Sequence, residues 1–130
     1  KAAALKGFAV NTNWQPGDNA GTRAGFVHVP VLEANRPGAS LSFTFTGNAV
    51  GIAIVAGPDA GMIKYAVDGK PSKTIDLYTQ WSGGLHLPWY LVLADGLPHG
   101  EHVLKIGITS QKNKASRGNA CRIVHFLVNH

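Results

Sequence analysis

Residues 41–56, LSFTFTGNAVGIAIVA, decide the fold. Leu41, Phe43 and Phe45 alternate with Ser42, Thr44 and Thr46. On an extended chain that period puts the apolar set on one face and the hydroxyls on the other. Gly47-Asn48 then reads as a hairpin turn. After it, residues 49–56 are apolar on both faces, as in a central strand of a packed sandwich.

Working outward, the same grammar recurs. Upstream, Arg36-Pro37-Gly38 is a turn, and residues 25–34 (GFVHVPVLEA) read as a strand that Pro30 confines to an edge or a bulge. Residues 12–22 (TNWQPGDNAGT) are too dense in breakers for a regular element, and Leu5, Phe8 and Val10 suit a short lead-in strand. Downstream, residues 57–61 (GPDAG) break the chain before a strand over 62–67. Asp68-Gly69 then turns it so that 73–78 pairs back. His102, Leu104, Ile106 and Ile108 alternate with Val103, Lys105 and Gly107, and residues 121–128 (CRIVHFLV) close the chain after a polar loop over 109–119. About eight strands at 8–12-residue spacing predict an all-β domain, an antiparallel β-sandwich of jelly-roll type, spanning residues 1–130 as one unit. Leu41, Phe43, Phe45, Ile52, Ile54, Leu104, Ile106 and Phe126 are the expected core.

Composition narrows the function classes. Charged residues are 15% of the 130, so the surface is rich in small polar side chains, and 16 Gly with 7 Pro make the chain turn-dense. No run approaches a membrane span. The net charge of +5 favours anionic partners, yet only Lys112, Lys114 and Arg117 cluster, without a nucleic-acid-binding signature. Neither nucleic acid nor membrane is an expected partner. The one cysteine, Cys121, excludes an internal disulfide and reads as a small core side chain. The chain starts at Lys1, as expected of a mature or excised segment.

Chemistry is hard to place on this chain. No G-x-S-x-G motif is present, and Ser82 near His86 lacks a marked orienting acid, so no catalytic residue is assigned. The seven acids mostly adjoin Gly or Pro, where they shape turns. His99 and His102 in PHGEH are three apart, which on a strand points them to opposite faces. His102 is better read as a strand residue bonded to a loop than as a metal ligand, and no metal or cofactor is expected.

What remains is the aromatic run over residues 78–108, YTQWSGGLHLPWYLVLADGLPHGEHVLKIGI. Trp14, Tyr78, Trp81, His86 and Trp89 all fall in or beside breaker-rich loops. Indole and phenol faces stack on sugar C–H surfaces, while Lys112, Lys114 and Arg117 would attract carboxylate or sulfate groups. These eight residues are the candidate ligand-binding set. The same tryptophans would equally serve to plug the sandwich end.

At GPDAG (57–61), VDG (67–69), DLYTQWSGGLHLPW (76–89), GEHVLKIGI (100–108) and NACRIVHFLVN (119–129) the chain resembles a known family. It is similar to the accessory β-sandwich that follows the catalytic domain in bacterial secreted SGNH (GDSL-type) hydrolases. The resemblance implies a galactose-binding-domain-like jelly roll, a non-catalytic carbohydrate-binding module for a polysaccharide or oligosaccharide, acidic or sulfated glycans included. It further implies a covalently attached esterase and a secreted or periplasmic location. GDN at 17–19 is not the family's catalytic Gly-Asp-Ser, so the catalytic role does not carry over. The competing expectation is a structural domain that packs on and shapes the catalytic domain without a ligand of its own.

Overall fold

In a computed structural model that describes residues 3–14, 29–79, 82 and 86–129, the chain forms two five-stranded antiparallel sheets packed face to face. The strands are β1 (Ala3–Lys6), β2 (Ala9–Trp14), β3 (Val29–Ala34), β4 (Ser40–Gly47), β5 (Ala49–Ala56), β6 (Met62–Val67), β7 (Lys73–Asp76), β8 (Leu87–Ala94), β9 (Gly100–Ile108) and β10 (Cys121–Asn129). One sheet runs β1-β4-β9-β6-β7 and the other β2-β3-β10-β5-β8. From β3 onward the chain switches sheets at almost every connection, which is what gives a jelly-roll sandwich its single shared core.

The alternation in β4 works as read: Leu41, Phe43 and Phe45 point inward, opposite Ile106, Leu104 and His102 of β9. Phe43 stacks on Phe126 of β10 at 4.0 Å between ring centroids, so this pair joins the two sheets. Phe126 itself is half-buried, less enclosed than expected, because the far side of β10 opens beside Val10, Leu32 and Val124. Cys121 is buried in the core, and burial pushes its thiol up to about 12.

Several local readings change. Gly47-Asn48 is not a hairpin turn, because β4 and β5 lie in different sheets. It is a corner where the chain crosses the sandwich, with Asn48 N–H donating to the Asn129 carbonyl at 2.9 Å. Gly47 stands so close to that carbonyl that any side chain would collide with it. Pro30 lies on an inner strand, but β10 pairs with β3 only as far as Leu32. The β2–β3 register also slips between Asn11 and Trp14, so the missing N–H falls at an irregular stretch. Residues 12–14, expected in a loop, extend β2; residues 15–28 lie outside the described set. Residues 87–94, given no element from the sequence, form β8.

A polar chain fastens residues 57–61 to the second sheet. Arg122 donates to both Asp59 oxygens at 2.8 and 2.5 Å, and its Nε lies 3.4 Å from Glu33, which accepts from Asn11 at 2.9 Å. Burial pushes the Asp59 carboxyl up, but the Arg122 hydrogen bond and charge outweigh it and hold the group below 3.8.

Candidate functional site

Where edge strands β7 and β8 face each other across the sandwich, a cleft of about 430 Å³ opens. One wall carries Tyr65, Lys70, Pro71 and Lys73; the other carries Val92, Asp95 and Leu97. The first wall exists because Asp68 (φ 55°) and Gly69 (φ 73°) both adopt left-handed backbone, turning β6 sharply back. Lys70 N–H closes the turn on the Val67 carbonyl at 3.2 Å. Asp68 then anchors it, accepting from Val103 N–H at 2.9 Å and meeting His102 Nδ1 at 2.5 Å. His102 Nε2 lies 2.7 Å from the Pro98 carbonyl on the other side. The hydrogen bond to His102 holds Asp68 below 3.8, and the bond to Asp68, then that to Pro98, holds His102 above 6.5. This is the loop-bonded role the sequence suggested for His102.

The cleft continues into β8. Trp89, Tyr90 and Val92 are 38%, 63% and 72% exposed, large apolar side chains that an edge strand leaves in solvent. Tyr90 and Val92 share the sheet's outer face with His125 and Leu127 of β10. Between them Ala53 and Gly51 of β5 form a low floor, and Gly51 has no room for a side chain beside the Leu91 carbonyl. Val92 belongs to both this face and the cleft.

The residues singled out from sequence do not all come together. Tyr78 is half-buried against the core. His86 is buried, 2% exposed, with its ring filling the space over Gly57, which makes it a plug of that end. Ser82 is also buried, and its Oγ is held by Thr79 N–H at 2.8 Å, closed to any substrate. Lys112 donates to the Ser116 carbonyl at 2.9 Å, while Lys114 and Arg117 are exposed on the same loop. That loop is pinned by Ser116 Oγ to the Ala60 carbonyl at 2.6 Å, at the sandwich end where β5 finishes. The cleft lies at the opposite end, where β8 finishes, since Ala94 pairs with Val50 and Leu87 with Ala56.

Trp14 ends β2, on the far edge of the sheet from β8. Three intervening strands put its backbone about 19 Å from that of Trp89, at the usual strand spacing. Their backbones therefore stand at opposite edges of the sheet. Trp81 lies outside the described residues. Of the candidate set, Trp89 lies on β8 beside the cleft without lining it; Tyr65, Lys70, Lys73, Tyr90 and Asp95 were not in that set. Residues 87–94 (LPWYLVLA) are apolar on both faces, so no alternation marked Tyr90 as exposed, and joining residues 65–73 to 92–97 required the sheet pairing. Among the described residues no His, Cys, Asp and Glu group is arranged to hold a metal ion.

The sequence matches no protein-family model and no curated protein. Its structure is similar to a two-domain esterase active on acetylated mannans, co-crystallised with mannopentaose, with a TM-score of 0.72 at 15% identity. That match covers 97% of this chain and 33% of the esterase. It is also similar to a family two carbohydrate esterase from Cellvibrio japonicus, with a TM-score of 0.56 at 19% identity over 99% of this chain and 33% of the other. A family two carbohydrate esterase from Clostridium thermocellum in complex with cellohexaose gives 0.52 at 17% identity, over 93% and 31%. The chain thus spans about a third of the length of these enzymes. Its fold is that of their non-catalytic β-sandwich domain.

Proposed function

We propose that this chain is a carbohydrate-binding accessory domain of an exported carbohydrate esterase, and that it holds polysaccharide along β8 and in the cleft. The carrying observation is the continuity of the two: a cleft of ligand-binding size runs through Val92 into an edge strand whose Tyr90 and Trp89, on opposite faces of the strand, are both open to solvent. From Val92 to Trp89 the strand covers about 10 Å, the reach of roughly two pyranose units. Aromatic faces take the apolar side of each ring, and Lys70, Lys73 and Asp95 take hydroxyls. Two lysines against one carboxylate also suit a glycan bearing carboxylate or sulfate. The esterases of like fold that were crystallised with mannopentaose and cellohexaose support a glycan as ligand. Titration with mannopentaose and with an oligogalacturonide, using Trp89→Ala, Tyr90→Ala and Lys73→Ala, tests the reading. Both aromatic changes should weaken binding at every salt concentration, and Lys73→Ala should weaken the acidic glycan more, with a salt dependence the others lack. Unchanged affinity in all three variants refutes it.

One observation favours a second reading. Tyr90, Val92 and Leu127 make the outer face of the β8-edged sheet apolar, the kind of surface a catalytic domain covers. Leu127 belongs to that face alone. If Leu127→Asp lowers the melting temperature of the two-domain protein while leaving the isolated domain's unchanged, the face is an interface.

A further inference from the structure

His102, on β9, lies between the two segments that carry the cleft walls, with an acceptor from each. Its Nδ1 is 2.5 Å from an Asp68 oxygen and its Nε2 is 2.7 Å from the Pro98 carbonyl. A carboxylate and a carbonyl can only accept, so both ring nitrogens must carry hydrogens and the imidazole is held as a cation. The two acceptors belong to different walls. Asp68 opens the turn that carries Lys70 and Pro71, whereas Pro98 follows Leu97 and Asp95 on the other side. Apart from His102, the described hydrogen bonds tie these walls to their own neighbours: Asp68 to Val103, and Leu97 N–H to the Asn48 carbonyl at 2.9 Å.

We propose that His102 is a positioning residue for the cleft, the doubly protonated ring tying the 68–72 turn to the 95–99 segment and fixing the distance between the two walls. The proposal rests on the reading of the cleft as the binding site. A neutral imidazole has one N–H, so on losing a proton it keeps only one wall. The charged groups acting on the ring are Asp68 and Lys70, both from the β6–β7 turn. From β4 the Phe45 ring lies 5.5 Å away between centroids. The 95–99 segment offers the Pro98 carbonyl, with Asp95 and His99 as its titratable side chains, and Glu101 alternates to the other side of β9. Asp68, then Pro98, raise the ring's pKa, with desolvation and Lys70 opposing. The tie is therefore present below the raised value and is released as pH rises through it.

The test reads the ring and the cleft separately. Nitrogen and methyl NMR of the intact chain, from pH 5 to 9, follows His102 together with Val92 and Leu97. Both ring nitrogens should be protonated at the acid end of the range, and the Val92 and Leu97 signals should move at the His102 midpoint. Asp68→Asn should lower that midpoint, and His102→Gln should abolish the step. A His102 that titrates at or below 6.5, or that titrates while Val92 and Leu97 stay still, overturns the proposal. In parallel, affinity for mannopentaose should fall about tenfold across the midpoint, roughly the worth of one charge-assisted hydrogen bond. Binding that ignores the midpoint overturns the positioning role and leaves the glycan reading standing. No binding of mannopentaose or of the oligogalacturonide at any pH refutes the glycan reading, and the wall tie then stands on the NMR coupling.

Discussion

Replacing Phe43 with alanine tests the joint between the sheets. Phe43 is buried on β4, and Phe126 reaches it from β10 with the rings nearly parallel, 10° apart. Removing the ring loses about 2–3 kcal/mol of transfer free energy. Loss of the aromatic pair adds about 1 kcal/mol. The void between two five-stranded sheets cannot collapse fully, which places the total at about 4–5 kcal/mol, the upper part of the range for Phe→Ala. Phe126→Ala should cost about half as much, because that ring is already partly in solvent. Urea unfolding followed by circular dichroism reads both, and a double-mutant cycle should return about 0.5–1.5 kcal/mol of coupling. Against a total stability of about 5–15 kcal/mol, Phe43→Ala leaves a domain on the edge of folding. A cost below about 1.5 kcal/mol, or a larger loss from Phe126→Ala than from Phe43→Ala, would show that the pair does not join the sheets.

Two further changes, with Gly100→Ala as a control elsewhere, probe the end of the sandwich away from the cleft. Asp59→Asn should cost on the order of 2 kcal/mol at pH 7, less than a fully buried pair because the Asp59 side chain is 32% exposed. Since the folded carboxyl lies below 3.8, that contribution is present above 3.8 and is lost as pH falls through the lower folded value. The deficit of the variant should accordingly shrink in acid, and a deficit equal at pH 7 and pH 3 would sink the ion-pair account. Gly57→Ala should cost about 1–3 kcal/mol, because the new methyl collides with the His86 ring, whereas Gly100→Ala meets open space and should be close to neutral. Equal melting temperatures for the two variants would remove His86 from its place over Gly57.

Period-two alternation is a local property, and it survives any tertiary arrangement. Leu41, Phe43 and Phe45, and likewise Leu104, Ile106 and Ile108, declared their inward face in the sequence because the strand itself fixes where each Cβ points. The all-β sandwich followed from those runs and from the breakers between them. The partner of a strand is a different matter. Gly47-Asn48 has the residues of a hairpin turn, yet it is a corner, because the identity of the neighbouring strand depends on pairings with β9 and β10 more than fifty residues away. Exposure is equally non-local: His86 and Trp89 lie three residues apart among the same aromatics, and one plugs the sandwich while the other faces water. The cleft has no sequence signature at all. Its walls, residues 65–73 and 92–97, belong to different sheets and meet because β7 and β8 end those sheets on the same side, with His102 reaching both.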